Sequence, residues 1–154
     1  MWRNVRGGRF EDVSGQLGAD FSNLGYHRGS AFVDLNNDGF MDIVITSLNA
    51  APRILMNSGN GNHWLMLELT GDKSNRDGIG AQVDLTLASG QVLTNHVTSS
   101  VGFMSSSDRR LHFGIGTETQ IKQIRIRWPS GNVQQITNPA IDHLLRIREQ
   151  SAVR

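Results

Sequence analysis

The sequence predicts an all-β protein in which a small strand–loop–strand unit precedes an antiparallel β-sandwich-like domain. Long segments in the second half of the chain alternate apolar and polar residues with a period of two, as half-buried strands do. Glycine is abundant at 17 of 154 residues and proline is scarce at 3, which favours many tight turns and few linkers. The chain shows no convincing helix beyond a possible turn at residues 139–143.

Composition and charge exclude some classes of function. The hydrophobic content of 38% is ordinary for a globular protein. No apolar run approaches the length of a membrane span, so no membrane insertion is expected. The formal charge of +1 points to no particular partner. Cysteine is absent, so no disulfide is possible and the redox compartment cannot be inferred.

The first residues predict a hairpin. Trp2–Val5 and Arg9–Val13 flank a turn at Gly7-Gly8, and Phe10 and Val13 are its expected apolar anchors. The following residues, up to Gly25, are expected to form a loop.

Oxygen-bearing side chains recur at alternate positions in the next segment. They occupy positions one, three, five and nine of a loop with glycine at position six, and the set is Asp34, Asn36, Asp38, Gly39 and Asp42. Ca²⁺ prefers about six to eight oxygen ligands, and a tight loop with this spacing can surround one ion. We therefore predict a calcium site whose ligands are Asp34, Asn36, Asp38, the backbone carbonyl of Phe40, and Asp42. The glycine would provide the sharp bend.

The predicted site differs from an EF-hand. Ile45 stands at the twelfth loop position, where an EF-hand has a bidentate glutamate. Ser30–Val33 and Ile43–Thr46, on either side of the loop, are predicted strands. The alternative is a turn without metal, because Asn, Asp and Gly also dominate hairpin turns.

Gly29–Asp34, the loop and Ile43–Thr46 together resemble an FG-GAP/VCBS repeat, which is a blade of integrin-type β-propellers. The resemblance implies a partial β-propeller blade over about residues 1–60, with Ca²⁺ held between two of its strands. A third strand is predicted at Pro52–Asn57. One blade cannot bury both faces of its sheet. We therefore expect a larger propeller, packing on the following domain, or completion by other copies.

The second half of the chain contains the clearest alternation. The faces predicted to be apolar consist of Leu65, Leu67 and Leu69; Ala81, Val83, Leu85 and Leu87; Ile124, Ile126 and Trp128; and Leu145 and Ile147. Such strands with one polar face are typical of an antiparallel β-sandwich. Ser89-Gly90 and Pro129–Asn132 are predicted turns between strands.

Five motifs of this half carry a second resemblance. They are Gly61–Leu65, Gly71–Ala81, Gly102–Asp108, Leu111–Gly116 and Ile126–Gly131. Together they resemble the ASPIC/UnbV domain, which follows FG-GAP repeats in the cartilage acidic protein family and in many bacterial secreted proteins. The resemblance implies a β domain over about residues 61–150, with residues 151–154 as a tail. It also implies a secreted or cell-surface location. Since the N-terminus has no apolar signal region, we expect a processed piece or a fragment.

No enzyme signature is found. Ser105–Asp108 with His112 nearby could suggest a nucleophile, but no Gly-x-Ser-x-Gly motif is present, and serines beside Asp more often form capped turns. The five histidines are scattered without metal-ligand spacing. We expect no catalytic residue.

The loop Gly71–Gly80 is a candidate ligand site. It carries Asp72, Asn75 and Asp77, which could bind a ligand or a second cation. A turn pinned by an Arg–Asp pair is the alternative that we favour.

Four arginines on predicted strands form a second candidate, and they are Arg125, Arg127, Arg146 and Arg148. If their strands are sheet neighbours, they would form a basic face suited to sulfated or carboxylated glycans. A solvated edge that discourages aggregation is the alternative. No nucleic acid is expected, because aromatic residues are not interleaved with the arginines.

Together these features predict a non-enzymatic, calcium-binding module, extracellular or at the cell surface, that mediates adhesion or matrix contact with a protein or glycan. One alternative is a structural self-assembling protein, in which neighbouring copies complete the blade as an oligomer or filament. Another is anionic glycan binding through the arginine-rich face.

Overall fold

The computed structural model describes residues 1–5, 8–22 and 24–150, which form β-strands and two short 3-10 turns. The strands are β1 Trp2–Asn4, β2 Phe10–Asp12, β3 His27–Val33, β4 Asp42–Ser47, β5 Ala50–Leu55, β6 His63–Thr70, β7 Gln82–Leu87, β8 Val92–His96, β9 Leu111–Gly116, β10 Ile121–Arg127, β11 Val133–Thr137 and β12 Leu144–Arg148. The predicted all-β class is therefore confirmed. None of the helical segments in these residues has the length and apolar character to cross a membrane.

Two sheets of the second half face each other across the main core. One has the strand order β11-β10-β7-β8 and the other β12-β6-β9. The residues predicted to be apolar on β6, β7 and β10 are buried in one cluster between them, as are Trp128 and Ile147, while Leu145 is partly buried. The predicted turns are present, with Gly90 N–H donating to Leu87 and Gly131 N–H donating to Trp128. Period-two alternation thus identified the core correctly.

One strand pair runs in a direction that the alternation did not predict. β12 pairs with β6 in parallel, from Leu144 opposite Met66 to Arg148 opposite Thr70. The expectation of a purely antiparallel sandwich is wrong at this pair. A period of two is the same in either strand direction, and no short hairpin connects these strands to impose an antiparallel course.

The N-terminal strands form a two-stranded antiparallel ribbon, with Trp2 opposite Asp12 and Asn4 opposite Phe10. Gly7 of the predicted turn lies outside the described residues. Val13 is buried as expected, but Phe10 is exposed, so its prediction as an anchor is wrong. The ribbon pairs with no third described strand, and the Phe10 side chain is 62% exposed.

Strands β3, β4 and β5 form a separate antiparallel sheet in that order. The described residues form neither a closed propeller nor a closed barrel. Instead, a segment at residues 105–108 covers the outer edge of β3. The N–H groups of Ser30 and Phe32 donate to the hydroxyls of Ser105 and Ser107, both at 3.1 Å, and the N–H of Asp108 donates to the Phe32 carbonyl at 2.8 Å. One edge of this sheet is therefore held by a distant segment of the chain and not by another strand of the same sheet.

Candidate functional site

The loop between β3 and β4 begins at a buried carboxylate that fixes its shape. Asp34 accepts hydrogen bonds from the N–H groups of Asp38 at 3.1 Å and Gly39 at 2.9 Å. Gly39 has a φ of +89°, which favours glycine. Asn37 also has a positive φ, of 58°, which asparagine tolerates better than most residues. The loop therefore turns sharply around the Asp34 side chain.

A second buried carboxylate closes the loop and joins it to the end of β5. Asp42 is fully buried, and its two oxygens accept the N–H groups of Leu35 at 3.0 Å and Asn57 at 2.8 Å. One side chain thus holds the start of the loop and the chain beyond the third strand of the sheet. This explains why an aspartate at position nine is useful even without a bound ion.

The middle of the loop is more open. Asn36 and Asp38 are exposed, and the Asn36 amide donates to one Asp38 oxygen at 2.7 Å. The other Asp38 oxygen accepts the N–H of Phe40 at 2.9 Å. The predicted donors thus lie in one short loop, and most of their carboxylate oxygens already accept hydrogen bonds from N–H groups of that loop.

The loop offers the oxygen donors that Ca²⁺ prefers, but its side chains are not arranged around a common point. Within the described ranges, no group of three or more His, Cys, Asp or Glu side chains is placed to hold a metal ion. However, the side-chain donors are oxygens, and neither Asp34 nor Asp42 forms a side-chain ion pair among the described residues. Burying two carboxylates is costly, and the N–H donors of both and the nearby charge of Arg110 for Asp34 offset part of that cost. Binding would require the exposed Asn36 and Asp38 side chains to turn toward a common point.

Residues from the second half of the chain contact this loop from outside. Gly39 lies against the indole of Trp64, and the Gly39 carbonyl is 2.7 Å from Nε2 of His112. A carbonyl oxygen only accepts, so Nε2 carries the proton. The Trp64 and His112 rings are stacked, with centroids 6.3 Å apart and an interplanar angle of 15°. The loop glycine therefore provides a contact with Trp64 and His112 as well as a bend.

Arg110 adds a charged side chain to these contacts with the loop. Its guanidinium donates to Asn37 Oδ1 at 2.7 Å, to the Asp34 carbonyl at 3.0 Å, and to the Asp108 carboxylate at 2.7 Å. The hydrogen bond that Arg110 donates to Asp108 raises the pKa of Arg110, and partial burial opposes this shift. The guanidinium therefore stays charged and binds the loop through neutral oxygens.

Sequence reasoning missed Trp64, Arg110 and His112 as partners of the loop, because all three lie far from it along the chain. One signal was available on β6, where Trp64 and Met66 occupy the face predicted to be polar. Met66 is in fact buried. Large apolar residues on both faces of a strand indicate that both faces are covered.

The serines considered as nucleophiles have other roles. Ser105 and Ser107 accept N–H groups of β3, and the Ser106 hydroxyl donates to the Ser99 carbonyl at 2.7 Å. In the described hydrogen-bond network, His112 contacts Gly39 and not a serine.

The loop at residues 71–80 is pinned by its own side chains and by a buried glutamate. Asn75 both donates to and accepts from the Ile79 backbone, each at 2.8 Å, and Asp77 pairs with Arg109. Glu149, which sequence reasoning did not identify, accepts three consecutive N–H groups, those of Asp72, Lys73 and Ser74. No sequence pattern at the chain end marked this contact.

The four arginines do not form the single face that we considered. Arg125 and Arg127 lie on β10 and Arg146 and Arg148 on β12, which belong to different sheets, so the condition of neighbouring strands is not met. Alternation placed them on polar faces but could not assign strands to sheets. Three of the four pair with carboxylates, in the pairs Arg127–Asp84, Arg146–Glu68 and Arg148–Asp72.

Comparison with known families supports the second resemblance. Residues 71–154 match the family described as ASPIC and UnbV, which is more than half of the chain. A search of the curated proteins found no match. The family match does not extend to the first 70 residues, so the likeness to an FG-GAP/VCBS repeat stays a prediction.

Proposed function

The chain belongs to the ASPIC and UnbV family, and from this premise we propose that it is a non-enzymatic, Ca²⁺-binding interaction module that acts outside the cell or at its surface. One observation carries the proposal. The loop between β3 and β4 holds two buried carboxylates without an ion pair among the described residues, and the second domain grips the same loop. A cation there would stabilise the contact between the two parts of the chain.

The oxygens available to Ca²⁺ come from Asp34, Asn36, Asp38, the Phe40 carbonyl and Asp42. Each bound N–H leaves a carboxylate oxygen a second lone pair, so the bonds within the loop do not exhaust the donors. A bound cation would add positive charge beside Asp34 and Asp42, which form no ion pair among the described residues. Extracellular modules bind Ca²⁺ with dissociation constants of about 10⁻⁴–10⁻³ M, and we expect this range.

Calorimetric unfolding in Ca²⁺ and in EDTA tests whether the protein binds Ca²⁺. Free Ca²⁺ at ten times the dissociation constant would add about 1.4 kcal/mol of stability. We expect Asp38→Asn to remove most of this gain, since Asp38 is an exposed donor in the loop. Asp20→Asn, which changes an exposed carboxylate outside the loop, is the matched control. An identical Tm in Ca²⁺ and EDTA would refute calcium binding.

An exposed apolar loop tip supports the interaction role. Val101, Phe103 and Met104 are 52%, 67% and 88% exposed on the loop whose base covers β3. Clusters of exposed apolar side chains on a rigid base commonly mark protein contacts. Solid-phase binding to a panel of purified matrix proteins would test this role. Phe103→Ser should weaken binding, whereas Val133→Ser, which removes a half-exposed apolar side chain from β11, should not.

Self-assembly is the second candidate function, because β5 leaves one sheet edge unpaired among the described residues. Light scattering over a range of protein concentrations tests it, and a strictly monomeric species would count against it. The glycan alternative receives no comparable support, because the arginines are dispersed and mostly paired.

A further inference from the structure

The sheet β3-β4-β5 has one covered edge and one open edge. The segment at residues 105–108 covers β3, whereas no described strand pairs with β5 on its outer side. Unpaired edges with free backbone groups bind further strands readily. Pro52 lacks an N–H group, so additional pairing along β5 is limited to the residues after it.

An apolar row crosses this sheet and ends at the open edge. Phe32, Ile43 and Leu55 are cross-strand neighbours in register on one face. They line a depression of about 760 Å³ between the sheet and the N-terminal segment, together with Phe21 and Met56. Ile54 and Met56 are 58% and 52% exposed. A fourth strand beside β5 would continue the apolar row and shield these side chains from water.

Charged side chains near the depression indicate what kind of segment would bind there. Asp20 lines the depression, and its carboxylate is in no ion pair among the described residues. Arg53, on β5 itself, is partly exposed and forms no ion pair among the described residues. One strand thus supplies both the apolar side chains and the cation that the depression would accept.

We propose that two copies of this chain pair through β5 in an antiparallel manner, with Leu55 of one copy opposite Leu55 of the other. This register places Arg53 of each copy opposite Asn57 of the other, which also lines the depression that contains Asp20. Ile54 of each copy faces Met56 of the other. A two-fold axis closes such a pair, so a dimer and not a filament results.

The inference rests on the self-assembly candidate and is independent of the cation. Sedimentation velocity over a range of protein concentrations, in EDTA and in Ca²⁺, should show a monomer–dimer equilibrium in both. Ile54→Lys should raise the dimer dissociation constant at least about tenfold, because two added charges would lie within the apolar contact. Val133→Lys, at a similarly exposed site on β11, should leave the constant unchanged.

A charge pair tests the register. In Ile54→Lys/Met56→Glu, each lysine faces a glutamate of the other copy only if residues 54 and 56 are opposed. We expect this double variant to regain most of the association that Ile54→Lys loses, with circular dichroism confirming that both variants are folded. A wild-type monomer at all concentrations would overturn self-assembly and this inference together. A wild-type dimer that the two variants do not affect, or that the second does not restore, would overturn the β5 register alone.

Discussion

The α carbon of Gly39 packs so closely on Trp64 that a β carbon at this position would lie 1.8 Å from Cε2 of the indole. The glycine therefore satisfies two requirements, since its φ of +89° also disfavours other residues. The sequence predicted only the turn, whereas the structure shows that the loop glycine also packs against a residue of β6.

Gly39→Ala should destabilise the protein more than the loss of backbone freedom explains. Gly90 has the same φ of +89° but open space around it, so Gly90→Ala measures the conformational cost alone. We expect about 1–2 kcal/mol for Gly90→Ala. Displacement of Trp64 should add about 1–3 kcal/mol for Gly39→Ala. Urea unfolding followed by tryptophan fluorescence measures both, and equal losses would show that the Trp64 contact is unimportant.

Arg110→Ala should loosen the loop between β3 and β4. The change removes hydrogen bonds to Asn37 and Asp34 and leaves the carboxylate of Asp108, whose side chain is 12% exposed, without its cation. We expect a loss of about 2–3 kcal/mol and faster amide exchange in the loop. Arg109→Ala, which breaks a more exposed pair with Asp77, should cost less than about 1 kcal/mol. Equal effects of the two variants would argue against an interdomain role.

The core was predictable because period-two alternation is a local property. Leu65, Val83 and Ile126 could each be assigned to a buried face without knowledge of their partners. Strand direction and sheet membership depend on distant segments, which explains why the parallel course of β12 and the separation of the arginines were missed.

The candidate loop was predictable in part for the same reason. The alternate oxygens of Asp34 and Asp38 identified a tight turn, and the structure shows how their carboxylates fix it. The contacts of Trp64 and His112 with this turn were not predictable, because they arise from tertiary packing between distant segments.

Ser105→Ala and Ser107→Ala should each expose part of the β3 edge. Their hydroxyls accept the N–H groups of Ser30 and Phe32, so each change leaves one strand amide without its acceptor. We expect a cost of about 1 kcal/mol per variant and faster hydrogen exchange at the matching amide. Ser106→Ala is the control, because its hydroxyl donates to Ser99 and not to β3. Unchanged exchange at both amides would contradict this role of the serines.

Stability should fall steeply in acid because of Glu149. Burial raises its pKa, but hydrogen bonds from Ser130 and from the N–H groups of Ser74 and Asp72 outweigh this and lower the pKa from 4.5 to about 2. A lowered pKa in the folded state means that the stabilisation is fully present above pH 4.5 and is lost as the pH falls toward 2. The expected loss is on the order of 3 kcal/mol.

Glu149→Gln isolates this effect. The variant should be less stable at pH 7, because its amide group meets backbone N–H groups that need an acceptor. It should also lose less stability between pH 4.5 and 2 than the wild type. The loss that remains would come from Asp84 and Asp142, whose pKa values are also lowered. Glu11→Gln, at an exposed pair with Arg3, should follow the wild type. Urea unfolding across this range measures all three proteins. Parallel curves for wild type and Glu149→Gln would show that the buried carboxylate does not control the acid response.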